Sequence, residues 1–165
     1  MNHPMRAQTE SSRIEIDTFD GEFAALHSRL LALIAATPLN LLYRSPGPAS
    51  TSSIGETVLR SAAVVEQTFG GITANLWDDP FEWTLPENLS THERVIEYLE
   101  EVEATRRRAF DRFTQDSDLA KHVQVPSGEP RSLLSLLVDT LAKATDLQQR
   151  AQQMCEAIGV GFSPV

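Results

Sequence analysis

Metal chemistry in a helical protein needs imidazoles and carboxylates repeated one turn apart, so that several lone pairs converge from one helix face. The four histidines are His3, His27, His92 and His122. His3 falls in a polar tail, His92 at the exposed start of a helix and His122 in a connector. His27 adjoins an apolar stripe and has no His, Cys or carboxylate one turn away on its own helix. No H-x-x-x-H or H-x-x-E-H occurs, so a structural or solvated histidine is the simpler reading than a ligand. Cys155 is the only cysteine, and nothing basic in the adjoining sequence lowers its pKa, which favours an inert thiol over a nucleophile. No glycine-rich phosphate cradle and no G-x-S-x-G elbow is present. The carboxylates read as solvated helix faces. The run Arg106, Arg107 and Arg108 sits among Glu100, Glu101 and Glu103, where intrahelical pairing outweighs an anion site.

The chain that must position these residues has 165 of them, enough for one domain with a proper core and short for two. Hydrophobic residues at 41% and charged residues at 22% match an ordinary globular protein. A formal net charge of -9 argues against nucleic acid or an anionic membrane as partner, because both demand basic surface. No segment approaches a transmembrane span, no apolar signal-peptide core opens the chain, and a single cysteine fits a reducing, cytoplasmic setting.

Four long amphipathic helices are expected. Residues 1–17 are polar and aperiodic and read as a disordered tail, leaving 18–165 as a single domain. The first helix covers about Phe19 to Ala36, with Phe19, Phe23, Leu26, Leu30 and Leu33 on one stripe and Asp17, Thr18 or Asp20 as its cap. A Pro- and Ser-rich loop follows. Ser53 and Glu56 form a capping box ahead of the second helix, whose apolar face is Ile54, Val58, Ala62, Val65 and Phe69. A long aromatic loop, NLWDDPFEWTLPENLS, separates the second and third helices. Its two tryptophans and Phe81 favour a loop packed on the core over a ligand-binding lid. Ser90 and Glu93 offer a second capping box for the third helix, lined by Val95, Tyr98, Leu99, Val102, Ala109, Phe110 and Phe113. VQVPSGEP reads as a short extended piece and a turn. The fourth helix runs from Arg131 to about Ile158, with Leu133, Leu137, Thr140, Ala144, Leu147, Ala151, Met154 and Ile158 as its seam and Gly159 as its stop. The fold class is all-α, a four-helix bundle.

Four passages, SIGETVLRSA, WDDPFEWTLPENLSTHERVIEYLEEVEATRRRAF, VQVPSGEPRSLLSLL and ATDLQQRAQQM, resemble the DinB/YfiT-like bundle family from about the first helix to Met154. The resemblance implies a divalent metal held by one histidine of the second helix and an H-x-x-x-H of the fourth, followed by R-G-Q. In several such members the metal activates a low-molecular-weight thiol. Here R-G-Q corresponds to Arg150-Ala151-Gln152, the fourth-helix histidines to Thr145 and Gln149, and the second-helix histidine to Arg60. Arginine offers no lone pair and adds charge where a cation would sit, and Thr and Gln oxygens are weak ligands for zinc, nickel or iron.

No metal and no cofactor is therefore expected, and catalysis becomes the minority reading. The expectation is a metal-free, non-catalytic bundle that binds a small anionic or thiol-like ligand around Arg60, Thr145 and Gln149. Its bland rival is a closed internal ion pair of Arg60 with Glu56 or Asp146. The alternative is a metal- and thiol-dependent transferase or hydrolase with a displaced site. A homodimer is the partner that the resemblance implies. A concave cleft between the second and fourth helices would favour a ligand in either case.

Overall fold

A computed structural model describes residues 12–48, 51–83 and 87–161. The tail expected over 1–17 lies outside these up to Ser11, as do Pro86 and the ring of Trp83. Among the described residues six helices follow in order: α1 (Ile14–Ala36), α2 (Leu39–Leu42), α3 (Ile54–Ala74), α4 (Pro80–Trp83), α5 (His92–Phe110) and α6 (Leu133–Ala157). A 3₁₀ turn at Asp116–Ala120 and a two-residue antiparallel ladder, His122–Val123 with Arg131–Ser132, join α5 to α6. Among the described residues the fold is thus all-α apart from one minimal hairpin, which holds the extended piece expected at VQVPSGEP.

The four long helices pack in the cyclic order α1–α5–α3–α6, with the closest packing between α3 and α6. Their senses follow from paired residues. Asp20 meets Arg106 and His27 meets Glu100, so α1 and α5 are antiparallel. Thr57 meets Met154 and Thr68 meets Thr140, so α3 and α6 are antiparallel too. Glu66 meets Tyr98 and Phe69 meets Phe110, so α3 and α5 run the same way. Two consecutive parallel helices require the chain to return the whole length of α3, roughly 30 Å at the usual rise per residue. The aromatic loop performs that return. It descends along α3, with Trp77 against Gly71, Phe81 beneath Arg60 and Leu89 bonded to Tyr43.

Apolar periodicity builds the core as expected: Phe23, Leu26, Leu30 and Leu33 of α1 and Ile54, Val58, Ala62, Val65 and Phe69 of α3 are buried. Phe23, Phe69, Phe110 and Phe113 form an aromatic cluster at one end, with neighbouring centroids 5.3–5.9 Å apart. At the other end the thiol of Cys155 lies 3.5 Å from the Thr37 hydroxyl, and His92 bonds the Thr37 carbonyl.

Three boundaries differ from the sequence expectation. α1 begins at Ile14, five residues early, and none of Asp17, Thr18 or Asp20 caps it. Its first amides donate instead to the carboxylate of Asp116, at 3.0 and 3.1 Å. Ser12 and Arg13 are tied down as well, the first to Asp116 and the second to the carbonyls of Phe110 and Phe113. α5 is capped by Thr91, whose hydroxyl accepts from the Arg94 amide, rather than by Ser90 with Glu93. On α6 the buried residues are Leu133, Leu136, Leu137, Thr140, Ala144, Gln148, Ala151 and Cys155, with Leu147, Met154 and Ile158 only half-buried. Buried positions therefore recur every eleven residues (133, 144, 155), a repeat closer to the roughly 3.6 residues of an α-helical turn than a seven-residue repeat is. The Ser53–Glu56 capping box and the stop at Gly159 (φ 74°) stand as expected.

Candidate functional site

The structure does not bring Arg60, Thr145 and Gln149 together. Ser61, one residue on, is the group that faces α6, donating to the Ala144 carbonyl at 2.7 Å. A one-residue step turns the side chain by about 100°, so Arg60 leaves that interface and its guanidinium lies 3.8 Å over the Phe81 ring. Asp146, one expected partner for Arg60, pairs with Arg150 at 2.8 Å instead, and Glu56 is engaged in its capping box. Thr145 and Gln149 line a shallow, open depression between α1 and α6 with Phe19, Arg29 and Asp146. That donor set does not fit a metal ion: one arginine set apart and two neutral side chains offer nothing a zinc-class cation prefers. Among the described residues no three His, Cys, Asp or Glu side chains converge as a metal site would require.

Polar groups seal the line where α3 meets α6. Besides the Ser61 bond, the Thr68 and Thr140 hydroxyls are 2.7 Å apart, and the Thr57 hydroxyl reaches the Met154 sulfur at 3.7 Å. All three α3 residues are buried. These contacts tie α3 to α6 along the seam, and the open space between the two helices lies on its outer side.

A cleft of about 320 Å³ lies on that side. Gln67 and Thr68 of α3 form one wall, and Asp139, Thr140 and Lys143 of α6 form the other. Trp77 of the return segment and Val125 and Pro126 of the hairpin loop complete the lining. Trp77 is well fixed. Its ring lies against Gly71, its Nε1 donates to Asn75 at 3.0 Å, and its carbonyl accepts from Gln67 at 2.7 Å.

Charge in the cleft is set by three side chains. Arg131 spends one terminal nitrogen on Asp139 and on Ser135, an arrangement fixed by its place at the end of the ladder. Lys143, one turn beyond Asp139, makes no ion pair or hydrogen bond among the described residues. Two cations against one carboxylate leave this spot locally positive on a chain of net charge -9. The neighbouring groove between α3 and α5, about 590 Å³, presents Glu66 and Asp78 and has the opposite sign.

The remaining candidates from the sequence are structural. Arg106 is buried, 2% exposed, and bridges Glu103 on its own helix to Asp20 on α1. Burial pulls its pKa down, but the hydrogen bonds and charges of Glu103 and Asp20 outweigh this and the net shift is upward. Cys155 is buried, and burial raises its pKa against the smaller opposing effect of Thr37, as suits an inert thiol. His27 stands 3.5 Å from Glu100. Arg131, Asp139 and Lys143 were not singled out by the sequence, and Trp77 only as one of the aromatics of the loop after the second helix. Its only hint was an Asp139–Lys143 spacing of one turn, which reads as a surface pair until Arg131 is seen to occupy Asp139.

No family model, curated protein or solved structure matches the chain.

Proposed function

We propose that this chain is a metal-free, non-catalytic bundle of the DinB/YfiT-like kind, working in the cytoplasm, that binds a small anionic ligand between α3 and α6. The observation that carries the reading is Lys143, an ammonium without a protein partner among the described residues, beside Arg131 in a concave cleft of about 320 Å³. Ligand pockets have this size, and they pair apolar walls with a few convergent polar groups. A cation that no protein group neutralises is available to an anion at no cost in broken pairs. The reading keeps the helix pair expected from the sequence and moves the site outward, from Arg60, Thr145 and Gln149 to Lys143, Arg131 and Trp77.

Calorimetric titration with small carboxylates, inorganic phosphate and a low-molecular-weight thiol tests it, on the unaltered protein and on Lys143→Ala and Arg60→Ala. Binding lost in Lys143→Ala and kept in Arg60→Ala is expected. Elemental mass spectrometry after dialysis against zinc, nickel and iron supplies the second arm. Near-stoichiometric retained metal would overturn the metal-free reading in favour of a displaced-site enzyme.

A further inference from the structure

Resting on the reading just given, we propose that the ligand of the α3–α6 cleft is an aromatic monocarboxylate, with its carboxylate on Lys143 and its ring on the side of Trp77. Three features narrow the class. The first is charge. Lys143 is the one cation of the cleft not already committed, whereas Arg131 is shared with Asp139, half-exposed at the same wall. A monoanion is neutralised by Lys143 and can take a second hydrogen bond from the unused nitrogens of Arg131. A phosphate or dicarboxylate would bring its extra negative charge up to Asp139 with no further cation to meet it.

The second is the apolar part of the lining. Trp77 is held by its indole N–H, by its carbonyl and by the flat contact with Gly71, so it offers a fixed aromatic surface at little entropic cost. Val125, Pro126, Leu136 and Val64 continue that surface around the cleft. Four apolar residues and an indole are poorly used by a small hydrophilic anion. The third is the hydroxyl pair. Thr68 and Thr140 hold two hydroxyl hydrogens and use one between them, which leaves one donor at the base of the cleft for an uncharged oxygen of the ligand.

The test uses the full chain carrying Trp83→Phe, so that Trp77 is the sole tryptophan, and follows fluorescence and heat on titration with benzoate, cyclohexanecarboxylate, phthalate and inorganic phosphate. Benzoate is expected to quench Trp77 and to bind roughly three- to tenfold tighter than cyclohexanecarboxylate, the gain of an aromatic pair beyond its buried area. Phthalate and phosphate are expected to bind more weakly than benzoate. Lys143→Ala should weaken benzoate about tenfold or more, as loss of a charged hydrogen bond does. Trp77→Leu should abolish the preference for benzoate, and Trp77→Phe should restore it, which separates the ring from a general loss of folding. Equal affinity for benzoate and cyclohexanecarboxylate, or tightest binding of phosphate, would overturn the aromatic class while leaving an anion site at Lys143. Absence of heat and quenching with all four probes would overturn both.

Discussion

The indole of Trp77 lies flat against the bare α-carbon of Gly71, where a Cβ would fall inside the ring's van der Waals surface. That contact is one of those that couple the return segment to α3, and the indole lines the α3–α6 cleft. Gly71→Ala must therefore displace the ring, since the helix backbone has nowhere to go. The expected cost is about 1–3 kcal/mol, typical of overpacking a buried contact. A red-shifted Trp77 emission in the Trp83→Phe background, with a lowered urea midpoint, checks it. Unchanged emission would mean that the ring is not seated on Gly71.

Arg106 is a buried cation held by two carboxylates from two helices, and its partners differ in weight. Glu103 is nearly buried and grips it twice, at 2.7 and 2.8 Å, while Asp20 is 44% exposed. Removing Glu103 leaves the buried guanidinium with the half-exposed Asp20 as its remaining carboxylate, at a cost approaching the ~3–5 kcal/mol of a broken buried pair. Removing the charge altogether is milder, because a methionine fills the same space without desolvation. Glu103→Ala is expected to be the more damaging single change, and Glu103→Ala with Arg106→Met should recover much of the loss. Urea unfolding of the two singles and the double measures the coupling.

Local chemistry carried the α3 start, the α6 stop and the inner faces of α1 and α3, because Ser53, Glu56, Gly159 and the apolar spacings act within a few residues. It failed where the deciding partner lay elsewhere in the chain. Asp116, a hundred residues away, caps α1, so no local cap was there to be read. Ser90 and Thr91 are adjacent and equally able to cap α5, and the packing of the helix chooses Thr91. Gln148 replaces Leu147 in the α6 seam because a helix of roughly 3.6 residues per turn drifts off a heptad by about 20° every seven residues. Arg60 turns to Phe81, a residue of the return segment whose path a sequence does not reveal. The cleft was legible as a helix pair; its wall and its free lysine were not, since the return segment and the hairpin supply half of it.

Asp116 and Asp118 make the junction of α1, α5 and α6 sensitive to acid. Burial works against Asp116, but amides of Ile16, Glu15 and Ile14 and the Ser12 hydroxyl hold its pKa below the ordinary value. Lys121, followed by the Thr114 and Gln115 amides, holds Asp118 well below the carboxylate range. A carboxylate with a depressed folded pKa contributes stability that is complete above its unfolded pKa, about 4, and is lost as pH falls through the folded value. The urea midpoint is expected to be flat from neutral pH to about 5 and to fall below about 4. Asp118→Asn should lower the plateau and flatten the fall. An acid limb as steep as in the unaltered protein would place the titrating groups elsewhere.

Thr68 and Thr140 meet across the α3–α6 seam with both hydroxyls buried, and their energetics are those of a pair and not of two residues. Thr68→Val keeps the shape and leaves the Thr140 hydroxyl without its cross-helix partner, a loss of about 1–3 kcal/mol when a buried polar group is stranded. Thr140→Val does the same to Thr68. Changing both removes two polar groups that had only each other across the seam, and the cost of the double is expected to fall well below the sum of the singles. The same double variant also removes the spare hydroxyl hydrogen at the base of the cleft while leaving Lys143 and Trp77 in place. A ligand that uses that donor should bind the double variant more weakly although the protein is nearly as stable, and benzoate, which presents no uncharged oxygen, should not. Urea unfolding and calorimetry on the four members of the cycle separate the two effects. Additive stability losses would show that each hydroxyl finds another partner and that the seam is not closed by this bond.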